Sequence, residues 1–284
     1  MTPIYEDNHI IIVSKQSGEI VQGDKTGDTP LSETVKDYIK VKYQKPGNVF
    51  LGVVHRLDRP VSGLVMFART SKALARLNEM FRVGDVHKTY WAIVPRISPS
   101  RPLPPPSPVG REPEGNNHPN LNTSANPNSR IGSLPTEGSP MLITSEYVKS
   151  GGRGRDGARL LTHWLVRNEK QNKSYAYDHE VKDSKKAQLS YRILAHSDRY
   201  SLVEVQLYTG RHHQIRCQLA KIGLPIKGDL KYGSPRSNKD GSICLLSRYM
   251  EFVHPVSKET IRVTAPLPDD PLWQAFGKII ANNN

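Results

Sequence analysis

Between Pro95 and Pro140 the chain places twelve of its 22 prolines and no aromatic residue. Asn, Ser and Gly fill much of the remainder. Such a stretch buries too little apolar surface to offset the entropy lost on ordering it. The core must therefore be assembled from two separate blocks of sequence. The segment at about 98–159, ending in the basic run GGRGRDGAR, is expected to be a disordered surface insertion.

The chain carries 40 Lys+Arg against 27 Asp+Glu, a formal net charge of +13. Residues 95–159 hold eight of the basic and five of the acidic residues, which leaves +10 to the flanking blocks. An excess of this size draws polyanions to the folded part: RNA, DNA or an anionic membrane. A merely solvated basic surface is the bland alternative. The two cysteines, Cys217 and Cys244, belong to no CxxC or Cys/His cluster. A zinc site and a disulfide framework are thereby disfavoured, and buried free thiols in a reducing compartment are expected. The start, MTPIYEDNHIIIVSK, lacks the basic-then-apolar pattern of a signal peptide. No apolar run approaches the roughly 20 residues of a membrane span. A cytoplasmic location with no membrane partner follows as the expectation.

The first block opens with IIIVSK at 10–15, a strand, and continues with a helix near 31–43. GVVHRLDRPVSGLVMFART at 52–70 reads as a strand, a loop containing Pro and Gly, and a second strand at about 63–68. Ser71 is placed to cap a helix over about 72–83, with Leu74, Leu77 and Phe81 on one face. KTYWAIV at 88–94 closes the block as a strand. The second block supplies strands at 160–166, near 188–196, 200–208, 243–253 and 260–265, and a short helix around 271–281. In GRHHQIRCQLAKIG (210–223), Ile215, Leu219 and Ile222 make a helical apolar stripe and Gly223 is placed to end it. No internal repeat is visible. Several neighbouring strands lack the long crossover that parallel pairing needs. The pattern predicts an α+β fold with a mixed, mainly antiparallel sheet and flanking helices, in a single domain over 1–284.

Three places could do chemistry. Asp58 lies on the loop between two apolar strands, flanked by Arg56 and Arg59. An aspartate there can simply cap a turn. Flanking guanidinium groups can also keep it ionised, and an ionised carboxylate is a nucleophile. The same arginines can hold phosphates. At the start of the 210–223 helix, Arg211, His212, His213, Gln214 and Arg216 gather donors where backbone N–H groups are free, a corner suited to phosphate or carboxylate. Two adjacent histidines raise the thought of a metal. Neighbours one apart on a helix point in different directions, however, and no acidic ligand is near in sequence. Lys88 and Tyr90 begin a strand, and Tyr90 offers a flat ring and a phenol for stacking or proton transfer. The sequence has no G-x-S-x-G and no P-loop motif, and no G-x-G-x-x-G that follows a strand; the run GGRGRDG lies in the expected insertion.

These stretches together resemble a known family, the RluA-type RNA pseudouridine synthases. HRLDRPVSGLVMFART resembles its signature around the catalytic aspartate, and HKTYWAIV its second motif. TGRHHQIRCQLAKIGLPIKGDLKYG is similar to the third motif over its whole length. CLLSRYMEFVHPVS resembles the closing motif, and IYEDNHIIIVSKQSG the usual start. The resemblance covers roughly 1–97 and 160–280. It implies a pseudouridine synthase fold with a central catalytic cleft. It departs from the family at the insertion and at Leu245-Leu246-Ser247, where Leu-His-Ala is common. A separate N-terminal RNA-binding domain, which many relatives carry, is not expected here.

What the resemblance implies for residues is specific. Asp58 is the catalytic nucleophile. Tyr90 stacks on the uracil and helps move a proton, and Arg216 pairs with Asp58. Arg56 enters the RNA stack as the target nucleotide flips out, and Leu245 lines the pocket beside the base. Arg59, Lys88, Arg211, His212, His213, Gln214 and Lys231 are expected to bind RNA. Neither a cofactor nor a metal is expected. The partner is RNA rather than DNA, with large-subunit (23S) ribosomal RNA the first candidate and tRNA the second, and the protein is expected to be a monomer. Sequence leaves open whether the carboxylate works through a glycal or by attack on uracil C6. The alternative is a non-catalytic RNA-binding or ribosome-assembly protein on the same fold.

Overall fold

The computed structural model describes residues 2–96 and 157–282. The expected insertion lies outside the described residues except for its last three. There the expectation runs too far, because Arg159 already begins a strand.

The first block forms β1 (Tyr5–Glu6), β2 (Ile10–Lys15), α1 (Leu31–Lys42), β3 (Gly52–Val53), β4 (Ser62–Ala68), α2 (Ser71–Val83) and β5 (His87–Pro95). The second forms β6 (Arg159–Asn168), β7 (Lys173–Tyr177), β8 (Lys185–His196), β9 (Tyr200–Leu207) and α3 (Gln214–Lys221). A single 3-10 turn, Leu230–Tyr232, precedes β10 (Leu245–Val253), β11 (Thr260–Thr264) and α4 (Pro271–Asn282).

The strands make one sheet in the order β1-β2-β4-β10-β5-β9-β8-β6-β7, with β3 added to β4 and β11 to β10. The two sequence blocks thus interleave: β10 of the second lies between β4 and β5 of the first. Among the described residues β4–β10 is the parallel pairing, through Leu246↔Ser62 and Ser247↔Gly63, and the others are antiparallel. The register of β10 against β5 shifts between Ser247 and Tyr249, a bulge at the point where β10 leaves β4 and takes up β11.

Burial follows position in the sheet. All seven residues of β4, and Ile10–Val13 of β2, are buried, as expected of strands covered on both faces. Toward the other end, β6 alternates buried and partly exposed residues. Helix α1 buries Leu31, Val35 and Ile39 at helical spacing, with Glu33 in its first turn and Lys40 and Lys42 in its last. Helix α2 packs on β3 and β4. Helix α4 begins at Pro271, where a missing N–H is harmless, and the Asp270 carboxylate accepts from the N–H groups of Leu272 and Trp273.

Some local expectations need correction. The cap of α2 is Thr70 rather than Ser71: Thr70 is extended and its hydroxyl accepts from Ala73 N–H at 3.1 Å. Ile222 is the last cap residue of α3, and Gly223 follows it at φ 77°. Strands β1 and β7 carried no apolar signal of their own and form by pairing with β2 and β6. No described helix is long and apolar enough to cross a membrane. Both cysteines are free and buried.

Candidate active site

Asp58 sits on the loop between β3 and β4, and contacts hold the carbonyls of the loop's second half, from Asp58 to Val61. Lys15, fully buried at the end of β2, points Nζ at the carbonyls of Gln16 (2.9 Å), Arg59 (3.0 Å) and Val61 (2.7 Å). The Arg59 carbonyl also accepts from Gly18 N–H, and the Pro60 carbonyl from Ser17 Oγ and Ile243 N–H. Val61 N–H donates back to the Asp58 carbonyl at 3.0 Å. Burial pushes the Lys15 pKa down to about 8, with the Asp58 and Glu19 charges pulling against it.

Beyond this loop Gly63, at φ +112°, lets β4 lie against β10. A Cβ there would come 2.3 Å from the Ser247 carbonyl oxygen. No residue with a side chain could hold that approach.

The Asp58 carboxyl, 31% exposed, faces a cleft of about 1110 Å³ lined also by Arg56, Lys88, Tyr90, Arg211, Arg216 and Leu245. Arg216, on the first turn of α3, donates Nη1 to Asp58 Oδ2 at 2.9 Å. Its other face is taken by Asp229, which accepts from Nε at 2.7 Å and Nη2 at 2.9 Å. Burial opposes the Arg216 charge, but the two carboxylates outweigh it and hold its pKa above the usual arginine value. Tyr90 is buried on β5, and burial, with the Asp58 charge adding to it, raises its phenol to about 12. It therefore stays protonated at neutral pH. Leu245 opens β10 beside Ala92. His213 Nε2 lies 3.4 Å from Asp58 Oδ2, and His213 Nδ1 lies 2.9 Å from the Tyr232 hydroxyl.

The tertiary contacts sort the expected RNA-binding residues. Arg56 and Arg211 are exposed, and Lys88 is half-buried over the Phe81 ring at 4.9 Å. Arg59 is exposed, and its guanidinium pairs with Asp28. Gln214 is buried, accepts from Thr209 Oγ1 and Arg211 N–H, and donates to the Gln188 carbonyl, so it braces the start of α3 rather than standing as a free donor. His213 is likewise buried and turned inward. His212 contacts Ser174 Oγ and Asn172, and Lys231 Nζ caps the Asn172 carbonyl at 3.0 Å. The adjacent imidazoles do not diverge as helical neighbours would. His213 precedes the helix in a left-handed conformation, and its ring stacks on His212 at 3.8 Å. No group of three or more His, Cys, Asp or Glu among the described residues could hold a metal ion.

Asp229, Lys15 and Tyr232 escaped the sequence reading. All three lay inside stretches already singled out, IIIVSKQSG and GDLKYG, but their partners are far away in sequence.

The RNA pseudouridylate synthase family model matches residues 9–221, and the chain belongs to that family. Among its relatives is the ribosomal large subunit pseudouridine synthase D of Xanthomonas campestris pv. campestris, 28% identical over 94% of this chain and 66% of that protein. Another is an uncharacterized RNA pseudouridine synthase of Chloroflexus aurantiacus, 32% identical over 79% of this chain and 52% of the relative. The chain thus spans about half to two thirds of the length of these relatives. The fold is that of human RNA pseudouridylate synthase domain containing 4, with a TM-score of 0.63 at 17% identity over 96% of this chain and 91% of the other.

Proposed function

We propose that this chain is an RNA pseudouridine synthase, an isomerase that converts uridine to pseudouridine in structured RNA of the large ribosomal subunit, with Asp58 as its nucleophile. The observation that carries this is the Asp58 carboxylate at the cleft wall, held by Arg216 at 2.9 Å in the same cleft as Tyr90 and Leu245. The family membership and the name of the Xanthomonas relative, a ribosomal large subunit pseudouridine synthase, support the reaction and the choice of RNA.

The target base leaves its stack at a cost of a few kcal/mol. Arg56, exposed at the rim, fills the vacancy, and the Tyr90 ring and Leu245 receive the uracil. The Asp58 carboxyl group stands beside the sugar, and Arg216 holds it there. The C1′–N1 bond breaks, the base turns, and C5 bonds to C1′. The C5 proton is lost and N1 gains one, so substrate and product are isomers. That balance calls for no oxidant and no group donor.

The test is tritium release from large-subunit ribosomal RNA labelled with [5-³H]uridine, with labelled tRNA run in parallel. Wild type releases tritium, and Asp58→Asn binds RNA without release. Residual activity within about tenfold of wild type, less than about 1.4 kcal/mol of barrier, removes the nucleophile role. RNA binding by wild type with no release from either RNA leaves the non-catalytic alternative.

A further inference from the structure

We infer that Tyr232 sets the tautomer of His213, so that His213 aims Nε2–H at Asp58 and serves as a second positioning residue beside Arg216. The catalytic consequence rests on the function proposed above, whereas the tautomer follows from contacts alone.

The backbone N–H of Ser174 donates to the Tyr232 oxygen at 2.8 Å. A backbone N–H is always a donor, so that oxygen is an acceptor there and its own proton points elsewhere. The same oxygen lies 2.9 Å from His213 Nδ1. Burial, reinforced by the Arg216 charge, pushes the His213 pKa down to about 2, so the ring is neutral and carries one proton. A proton on Nδ1 would make the phenol oxygen accept twice and set a bare Nε2 lone pair against a carboxylate 3.4 Å away. With the proton on Nε2 the phenol donates to Nδ1, and a proton rather than a lone pair stands on the nitrogen that lies 3.4 Å from Asp58 Oδ2. The bond at one imidazole nitrogen thus decides which nitrogen carries the proton.

The backbone gives a second, independent sign. His213 holds φ 53°, a conformation that costs a non-glycine residue about 1–2 kcal/mol. Strain of this kind is kept where surrounding contacts require it. The contacts here are the edge of the Tyr232 ring, at 5.6 Å and 82°, and Asp58. Both Arg216 Nη1 and His213 Nε2 converge on Oδ2. That leaves Oδ1 as the oxygen presented to substrate.

The experiment is NMR of the full chain labelled with [¹⁵N]histidine, joined to kinetics of three variants. In wild type the His213 signals report a protonated Nε2 and a bare Nδ1. Tyr232→Phe keeps the ring but loses the hydroxyl; it is expected to mix the tautomers and to lower kcat by roughly tenfold with KM for RNA unchanged. His213→Gln, whose amide nitrogen reaches the Nε2 position, retains more kcat than His213→Asn, although asparagine suits the left-handed backbone better. A proton on Nδ1 in wild type, wild-type kcat in Tyr232→Phe, or Asn outperforming Gln each overturns the inference. Should Tyr232→Phe fail to fold, the wild-type spectrum and the Gln–Asn comparison still decide. An active Asp58→Asn would remove the nucleophile role, and a wild type that releases no tritium the proposed reaction, while either leaves the tautomer as measured.

Discussion

Asp229 grips Arg216 through two hydrogen bonds, of 2.7 and 2.9 Å, and leaves one guanidinium nitrogen, Nη1, to reach Asp58. The geometry is a fork with a fixed handle. Asp229 is buried and spends its charge inside the protein, so the arginine cannot swing away from the cleft to find another partner.

Removing the handle leaves a buried guanidinium short of its main partner. Asp229→Ala is expected to cost about 3–5 kcal/mol of stability, read by urea unfolding. Arg216→Lys keeps the charge but cannot fork, and its kcat is expected to fall by at least tenfold. Stability within about 1 kcal/mol of wild type in Asp229→Ala would show that the pair does not organise the site.

Lys15 is the tie beneath the loop that carries Asp58. Lys15→Met fills the space but takes the Nζ donor from the carbonyls of Gln16 and Val61 and leaves that of Arg59 with Gly18 N–H alone. The expected loss is about 3 kcal/mol in stability, together with a lower kcat as Asp58 loses its fixed position. Unchanged unfolding midpoints and unchanged turnover would place the loop's rigidity elsewhere.

Gly63→Ala introduces a methyl group 2.3 Å from a backbone oxygen at a φ of +112°. Neither backbone can yield without breaking the β4–β10 pairing. A loss of several kcal/mol is expected, read by thermal unfolding, and a Tm within a few degrees of wild type would contradict the close approach.

Acid should unfold the protein earlier than carboxylate titration alone predicts. Burial depresses His55 to about 3, and burial with the Arg216 charge depresses His213 to about 2. His55 Nε2 accepts from Met66 N–H, which a second ring proton would break. Unfolded histidine titrates near 6.5. Below that pH the unfolded chain binds protons that the folded one refuses, so stability is full above about 6.5 and declines as pH falls. Each of the two imidazoles contributes a slope of roughly 1.4 kcal/mol per pH unit toward its folded pKa. Urea unfolding at pH 7, 6 and 5 checks this, and equal free energies at the three pH values would rule out buried neutral rings.

Much of the local architecture was legible along the chain. The strands at 10–15, 63–68 and 88–94 and the helix carrying Arg216 announced themselves through apolar runs and period, because burial of one or both faces writes itself into neighbouring residues. Asp58, Tyr90 and Arg216 stood out because each lay in a long motif, and they do line one cleft. The short strand β7 was invisible: KSYAY has too few apolar residues, and its hydrogen bonds come from β6.

The sequence by itself determined which residues are apolar, where helices and central strands lie, and which acid stands between two arginines. Only the tertiary structure decided how that acid and its expected partner are held: Arg216, 158 residues away, reaches Asp58 with Nη1 while Asp229 takes its other nitrogens, and the flanking Arg59 turns to Asp28. The reason is geometric. Hydrogen bonds depend on separation and angle at the atoms, and those are set by how β4, β10 and α3 pack, a relation that no local pattern of side chains encodes.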